Sequence, residues 1–146
     1  MKNITEKMNL ILADLHILGT KAQNYHWNIK GERFFEIHAK TEGYYDHLQE
    51  VYDALAERIL QLGGRPLVTL KQILEVGRIS EDASTDFNAK YVVENILKDF
   101  DFLRTEFKAL SQMSEGDTTT VAFADEQVAF LDKETWMLRS FLGQGL

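Results

Sequence analysis

Five side chains between positions 26 and 57 have the chemistry and the spacing of a metal site. They are two histidines and three acids: His26, His38, Glu42, Asp53 and Glu57. His38 and Glu42 are four residues apart, which places them on one face of a helix. Asp53 and Glu57 repeat that spacing. Mixed imidazole and carboxylate ligands suit Fe(II), and zinc or manganese would also fit such a set.

The position of Gly31 predicts how the two histidines meet. This glycine interrupts two strongly helical patterns. His26 lies six residues before Glu32, and His38 lies six residues after it. Helices that turn back at this point run antiparallel, which brings positions 26 and 38 level. We therefore predict that the two imidazoles approach each other.

The length of the second helix keeps the two pairs apart. His38 and Asp53 are 15 positions apart, which is roughly 22 Å along a helix. Bonds from nitrogen or oxygen to a metal are only about 2 Å long. The pairs are therefore either unrelated or parts of a site made by two chains. Two copies packed antiparallel about a twofold axis would form two equivalent sites.

This segment resembles the ferroxidase signature of the Dps family, the mini-ferritins named for DNA protection in starved cells. The matching positions are His26-Trp27, His38, Glu42, Asp53 and Glu57, followed by Arg58-Ile59. Glu42 stands where many relatives carry Asp, which keeps the charge on a longer side chain. The resemblance continues in LGGRPLVTL (Leu62–Leu70) and ETWMLRSFL (Glu134–Leu142). Within the family, LGGRPLVTL and VAFADEQVA (Val121–Ala129) are similar to the neutrophil-activating branch.

The resemblance implies a ferroxidase that oxidises Fe(II), with hydrogen peroxide preferred over dioxygen as the oxidant. His26, His38 and Glu42 would come from one subunit, and Asp53 and Glu57 from its twofold partner. It also implies a homo-oligomer of twelve subunits that stores ferric mineral in its hollow interior and so protects against oxidative damage. Because imidazoles must be neutral to bind metal, activity is expected to fall in acid.

Apolar residues at three- and four-residue steps predict four long helices and one short helix. The expected bounds are about 5–29, 33–62, 70–76, 88–113 and 121–142. Gly63-Gly64 and Pro66 end the second helix, and Thr69 with Gln72 resembles a capping box for the short one. The predicted fold class is all-α, a ferritin-like four-helix bundle with a short extra helix between helices two and three.

The composition narrows the classes of protein that this chain can represent. It has 146 residues, a net charge of −7 and no cysteine, so we predict one domain over residues 1–146 without disulfides or thiolate metal sites. No apolar run is long enough for a membrane span, and no signal peptide is evident, so a cytoplasmic location is predicted. The sequence contains neither Glu-x-x-His nor His-Glu-x-x-His, which argues against a di-iron site within one bundle and against a zinc protease.

Two other functions compete with a ferroxidase. The first is a nucleoid protein that shields DNA, for which relatives use a Lys-rich tail. Here an N-terminal tail would offer only Lys2 and Lys7 on an acidic chain, so DNA binding is expected to be weak or absent. The second is a surface or immune-interaction protein that keeps the same fold.

Several other residues have both a structural and a functional interpretation. Trp27 and Trp136 are interpreted first as core aromatics; alternatively, Trp27 lies near iron and serves as an electron or radical relay. His16 and His47 are interpreted as ordinary residues, and Tyr44, Tyr45 and Tyr52 suggest a relay less strongly. Four acids are either solvated charges or, by the resemblance, part of threefold pores: Glu115, Asp117, Asp125 and Glu126.

Overall fold

The computed structural model describes residues 2–145, except for the side chain of Lys2, and consists of five helices. Their bounds are α1 (Lys2–Asn28), α2 (Phe34–Gln61), α3 (Leu70–Val76), α4 (Ala89–Met113) and α5 (Thr118–Phe141). No strand occurs in residues 2–145, where a single β-bridge joins Ile29 to Phe87. The predicted all-α class and the order of four long helices and one short helix are confirmed.

Side-chain caps explain where α3 and α5 begin. Thr69 forms the predicted capping box with Gln72, and α3 has the predicted bounds. The fifth helix begins at Thr118, earlier than the predicted start near residue 121, because Asp117 caps it through the main-chain N–H of Thr120. The polar composition of this segment had indicated a longer turn.

The start of α1 corrects the predicted N-terminal tail. The helix already includes residue 2, so Lys7 lies within α1 and does not belong to a tail. Met1 and the side chain of Lys2 lie outside the described residues. Within residues 2–145, no helix is both long and apolar enough to cross a membrane.

Residue contacts divide the chain into two compact units, residues 1–92 and 93–146, and the single domain stays a prediction. In the first unit, α1 and α2 run antiparallel. His26 contacts His38, and farther from the turn the ring of His16 contacts that of Tyr52. Apolar side chains of both helices are buried here: Leu15, Leu18, Ala22, Ile37, Leu48, Leu55 and Ile59.

Polar side chains of α1 fasten both ends of the α3 segment. The Asn9 amide donates to the carbonyl of Arg65, and its oxygen accepts the Leu67 N–H, both at 3.0 Å. Beyond α3, the fully buried Asp14 carboxylate accepts a hydrogen bond from the main-chain N–H of Arg78. It also accepts from the Arg78 guanidinium, whose nitrogens lie 2.8–2.9 Å away. The buried charge is therefore paired, and α3 is fixed along α1.

In the second unit, the part of α4 from Val93 onward and α5 run antiparallel. Phe100 contacts Phe130, and Phe107 contacts Phe123, each at 6.3 Å between ring centroids. Polar contacts follow the same order: Ser111–Asp125, Arg104–Asp132 and Asp101–Arg139. Apolar side chains at three- and four-residue steps along this part of α4 are buried, at Ile96, Phe100, Leu103, Phe107 and Leu110.

Candidate metal centre

The turn between α1 and α2 brings His26 and His38 into direct contact. Gly31 and Arg33 both adopt left-handed conformations, with φ of 87° and 66°, and so reverse the chain within a few residues. The two imidazole rings stack with their centroids 3.7 Å apart and an interplanar angle of 13°. The predicted approach of the two histidines is confirmed.

Reciprocal hydrogen bonds to the main chain determine which nitrogen of each imidazole is free. Nδ1 of His38 lies 2.8 Å from the carbonyl oxygen of His26, and Nδ1 of His26 bonds the carbonyl oxygen of His38 in turn. A carbonyl only accepts, so each neutral ring carries its proton on Nδ1. Both Nε2 atoms therefore keep a lone pair, which is the form in which imidazole binds a metal.

Aromatic and hydroxyl groups surround the two imidazoles. Phe34 stacks on the ring of His38 at 5.0 Å, and Tyr45 places its ring edge-on to His26 at 5.4 Å. The buried hydroxyl of Thr41 lies 3.4 Å from Nδ1 of His26. His26 itself is only 6% exposed. These contacts restrict the orientation of both rings before any ligand binds.

Glu42 brings a carboxylate to the histidine pair. Its Oε1 lies 3.7 Å from Nε2 of His26, while 57% of its side chain is exposed. Burial and the negative charges of Glu42 and Asp46 raise the pKa of Tyr45 above its ordinary value, so this phenol remains neutral. The arrangement offers a cation one imidazole lone pair and one carboxylate side by side.

Asp53 and Glu57 do not join this cluster within the chain. Both side chains are exposed on α2, 15 and 19 positions beyond His38. Among residues 2–145, no three His, Asp or Glu side chains lie close enough together to hold a metal ion. Asp53 instead lines an open groove of about 410 Å³, together with Asp46, Gln49, Glu50 and Tyr52.

The structure corrects the interpretation of both tryptophans as core residues. Trp27 is 69% exposed and Trp136 is 55% exposed, and Phe35 near the turn is 82% exposed. Trp27 follows His26 on α1, but its side chain points away from the core that buries the histidine. The relay role of Trp27 stays a prediction.

The remaining candidates have mostly structural contacts. The ring of His16 packs edge-on against Tyr52 at 5.1 Å, which agrees with an ordinary role. Asp117 caps α5, and Asp125 accepts a hydrogen bond of 2.6 Å from Ser111. Pore lining by these acids stays a prediction.

Sequence reasoning missed the residues that hold the imidazoles in place. Thr41 and Tyr45 follow His38 by three and seven positions, so all three lie on one face of α2. That spacing was available in the sequence. The contact across to His26 depends on the rotation of α1 against α2, which spacing along one helix does not define.

Comparisons with known proteins cover nearly the whole chain. A family model described as a ferritin-like domain matches residues 5–145. A Helicobacter pylori protein called "DNA protection during starvation protein" is 43% identical over 139 residues, which are 94% of this chain and 96% of that protein.

Two solved structures have closely similar folds. The crystal structure of Helicobacter cinaedi CAIP is 37% identical with a TM-score of 0.93, and the match covers 95% of this chain and 99% of that one. A Vibrio cholerae O1 Dps protein is described as a member of a broad superfamily of ferritin-like diiron-carboxylate proteins. It is 30% identical with a TM-score of 0.92 and coverage of 97% of this chain and 89% of that one.

Proposed function

Because this chain belongs to the ferritin-like family and, within it, to the Dps proteins, we propose that it oxidises Fe(II) with hydrogen peroxide at a site shared by two subunits. Family membership also confirms the predicted ferritin-like fold class. In this proposal His26, His38 and Glu42 come from one subunit. Asp53 and Glu57 come from a second copy related by a twofold axis.

The paired imidazoles are the observation that carries this proposal. Both Nδ1 atoms donate hydrogen bonds to main-chain carbonyls. The lone pairs on Nε2 of His26 and Nε2 of His38 therefore remain available to bind a metal. Such an arrangement fixes the tautomer and the orientation that a metal-binding histidine needs. A purely structural histidine pair has no need to place Nε2 of the buried His26 beside the carboxylate of Glu42.

The ligand charges suit oxidation of the substrate ion. Each hydrogen peroxide accepts one electron from each of two Fe(II) ions and, with two protons, becomes two water molecules. The charge on each ion rises from 2+ to 3+, and carboxylates stabilise the more highly charged ion. The net charge of −7 favours the approach of cations in general. In this proposal, the ferric product is stored as mineral inside a hollow oligomer of twelve subunits.

Exposed apolar side chains at the end of α2 and along the α3 segment support the participation of another copy. Large apolar side chains that are left exposed often mark sites of association. Here four of them, each more than half exposed, lie in or next to α2 and α3: Leu60, Val68, Leu70 and Leu74. The contacts of Asn9 and Asp14 hold α3 in a fixed position, so this surface is presented in a defined geometry.

Removal of the distant acids tests the proposal directly. Metal-free protein is loaded anaerobically with a small amount of Fe(II), hydrogen peroxide is added, and ferric absorbance is followed. Loss of an outer hydrogen-bond partner of a ligand already costs about 10–100-fold, so Asp53→Asn/Glu57→Gln should slow oxidation by at least about 100-fold. The double variant Glu81→Gln/Glu94→Gln, at two exposed acids that are not among the proposed ligands, removes the same charge and should keep the wild-type rate.

Three outcomes are informative in this experiment. Rapid oxidation that only Asp53→Asn/Glu57→Gln loses, with iron kept soluble by the protein, would support a ferroxidase that stores its product. Oxidation by the wild type at the rate in buffer would refute it. Equal loss in Glu81→Gln/Glu94→Gln would mean that general charge, and not ligation, controls the rate.

DNA shielding and a surface or immune role are not proposed for this chain. The name of the Helicobacter pylori relative refers to DNA protection. However, this chain has 23 acidic residues against 16 lysines and arginines, and affinity for DNA needs clustered positive charge against phosphate. No feature of the described surface identifies a host receptor. A cytoplasmic location remains part of the proposal.

A further inference from the structure

One carboxylate joins two tyrosines, one of which directly precedes His26 in the chain. Oδ2 of Asp82 accepts hydrogen bonds from the hydroxyl of Tyr25 at 3.0 Å and from that of Tyr91 at 2.7 Å. Tyr25 is fully buried on α1, whereas Tyr91 on α4 is 41% exposed. Asp82 therefore connects a phenol in the core with a phenol at the surface.

Aromatic contacts connect the same two residues. Phe87 packs edge-on against Tyr25 at 4.8 Å and stacks on Tyr91 at 5.5 Å with an interplanar angle of 12°. The centroids of the two phenol rings are 6.4 Å apart. Tyr25 directly precedes His26 on α1, so this cluster extends from the segment that carries the metal centre to solvent.

The protonation states suit transfer of a proton from phenol to carboxylate. Burial alone would raise the pKa of Asp82. The opposing effects are larger and lower this pKa below its ordinary value: hydrogen bonds from Tyr91, the Ser84 N–H and Tyr25, and the charge of Lys21. The hydrogen bond to Asp82 raises the pKa of Tyr91. At neutral pH the carboxylate is therefore ionised, and the Tyr91 phenol holds its proton.

We propose that Tyr25, Asp82 and Tyr91 form a relay that carries one-electron oxidation from the vicinity of the metal centre to the surface, with Asp82 as the proton acceptor. Its natural oxidant rests on the proposed function: it is the hydroxyl radical that forms, together with hydroxide, when a site holding a single Fe(II) ion gives hydrogen peroxide one electron instead of two. The relay would remove this radical before it damages the core.

Electrons and protons balance in each step of the relay. The hydroxyl radical takes one electron from Tyr25 and one proton from solvent and becomes water, while the phenol proton of Tyr25 moves to Oδ2 of Asp82. Tyr25 then regains an electron from Tyr91 and a proton from Asp82, and Asp82 receives the proton of Tyr91. The result is a Tyr91 phenoxyl radical beside a protonated carboxylate. A thiol or ascorbate in solution returns a hydrogen atom to Tyr91, and Asp82 releases its proton to water.

The same hydrogen bonds also have a structural role, because they fasten the α3–α4 connection to α1. Asn24 contributes to this anchor through its bonds to the carbonyls of Asp82 and Ser84, both at 2.9 Å. A structural role alone predicts changes in stability but none in radical chemistry. The test therefore measures radicals in variants whose helical content is verified by circular dichroism.

The first arm uses an external oxidant, photogenerated tris-bipyridine ruthenium(III), on the metal-free protein. We expect a tyrosyl radical by electron paramagnetic resonance whose main component Tyr91→Phe abolishes. A positioned proton acceptor typically contributes 100-fold or more, so Asp82→Asn should slow radical formation by at least about tenfold. Asp86→Asn, which removes a carboxylate from the same connection but outside the cluster, should behave like the wild type.

The second arm generates the oxidant near the metal centre with Fe(II) and hydrogen peroxide. Here Tyr25→Phe should remove most of the Tyr91 radical, although the same variant keeps that radical with the ruthenium oxidant. This contrast separates relay through Tyr25 from direct oxidation of Tyr91.

The two arms also separate the relay from the proposed function. Without ferroxidase activity, the ruthenium arm still decides whether Asp82 and Tyr91 form a redox pair. Wild-type rates in folded Asp82→Asn would refute the pair, as would an unchanged radical in Tyr91→Phe, which retains Asp82 and Tyr25. An undiminished Tyr91 radical in Tyr25→Phe in the second arm would refute the relay.

Discussion

Asp82 is a residue through which pH should act on the stability of this fold. Its hydrogen bonds lower the pKa of the folded-state carboxyl below the ordinary value of 3.8. The ionised group therefore contributes stability above that value, and the contribution is lost as the pH falls through the lower folded-state pKa. Neutral asparagine at this position lacks the contribution at every pH.

We expect Asp82→Asn to be less stable than the wild type by about 1–2 kcal/mol at neutral pH, because hydrogen bonds to a charged acceptor are lost. The difference in unfolding free energy should shrink below pH 4 and vanish below the folded-state pKa. Urea unfolding at a series of pH values measures it. Asp86→Asn is the matched control, because Asp86 lies in the same connection and its carboxylate forms an exposed ion pair with Lys30. A constant difference across the series would contradict this role of Asp82.

At the residue scale, spacing predicted which residues meet across one turn, but not which aromatic side chains are buried. The meeting of His26 and His38 followed from their equal distance to one turn. The exposure of Trp27 and Trp136 was not predictable in this way, because an aromatic residue in an amphipathic helix fits a core position equally well. Whether another subunit covers these rings depends on assembly, which one chain does not define.

Gly77 shows how closely the end of α3 approaches α1. A Cβ atom at this position would lie 2.1 Å from Cδ1 of Ile17 and 3.0 Å from the carbonyl oxygen of Ile73. The backbone, with φ of −61° and ψ of 143°, is acceptable to any residue. The constraint is therefore the packing against the buried Ile17 and not the conformation of the chain.

We expect Gly77→Ala to destabilise the protein by about 1–3 kcal/mol, because the added methyl group overpacks this contact. Ile17→Val removes the clashing Cδ1, so the double variant should be more stable than the sum of the single changes implies, by about 1 kcal/mol. Denaturant unfolding of the four proteins completes the cycle. Gly19→Ala is the control: it has open space within α1 and should gain up to about 1 kcal/mol. Additive effects of Gly77→Ala and Ile17→Val would contradict a direct clash.

At the element scale, local signals located the helices but not the contacts that fix the connection between them. The capping box at Thr69 and the break after Gln61 depend on neighbouring residues, so the sequence predicted them. The partners of Asn9 and Asp14 lie 56 to 65 positions away. In the sequence, both residues have the appearance of solvated positions of an amphipathic helix.

At the scale of the whole molecule, the candidate site divides into two halves that one chain keeps apart. The histidine half lies at the turn between α1 and α2, and the acid half lies 15 positions farther along α2. A site that needs both halves makes activity a property of the interface. Its twofold symmetry also predicts how activity returns when two inactive proteins are combined.

We expect a mixture of two inactive variants, His26→Ala/His38→Ala and Asp53→Asn/Glu57→Gln, to regain activity after they are unfolded and refolded together. With equal amounts and random pairing, half of the twofold interfaces are hybrid. Each hybrid interface contains one intact site and one site that keeps only Glu42, so activity should reach roughly one quarter of that of refolded wild type. Ferric absorbance measures the rate, and light scattering verifies assembly. Each variant refolded alone should stay inactive. Full assembly without recovered activity would mean that the two halves do not act at one site.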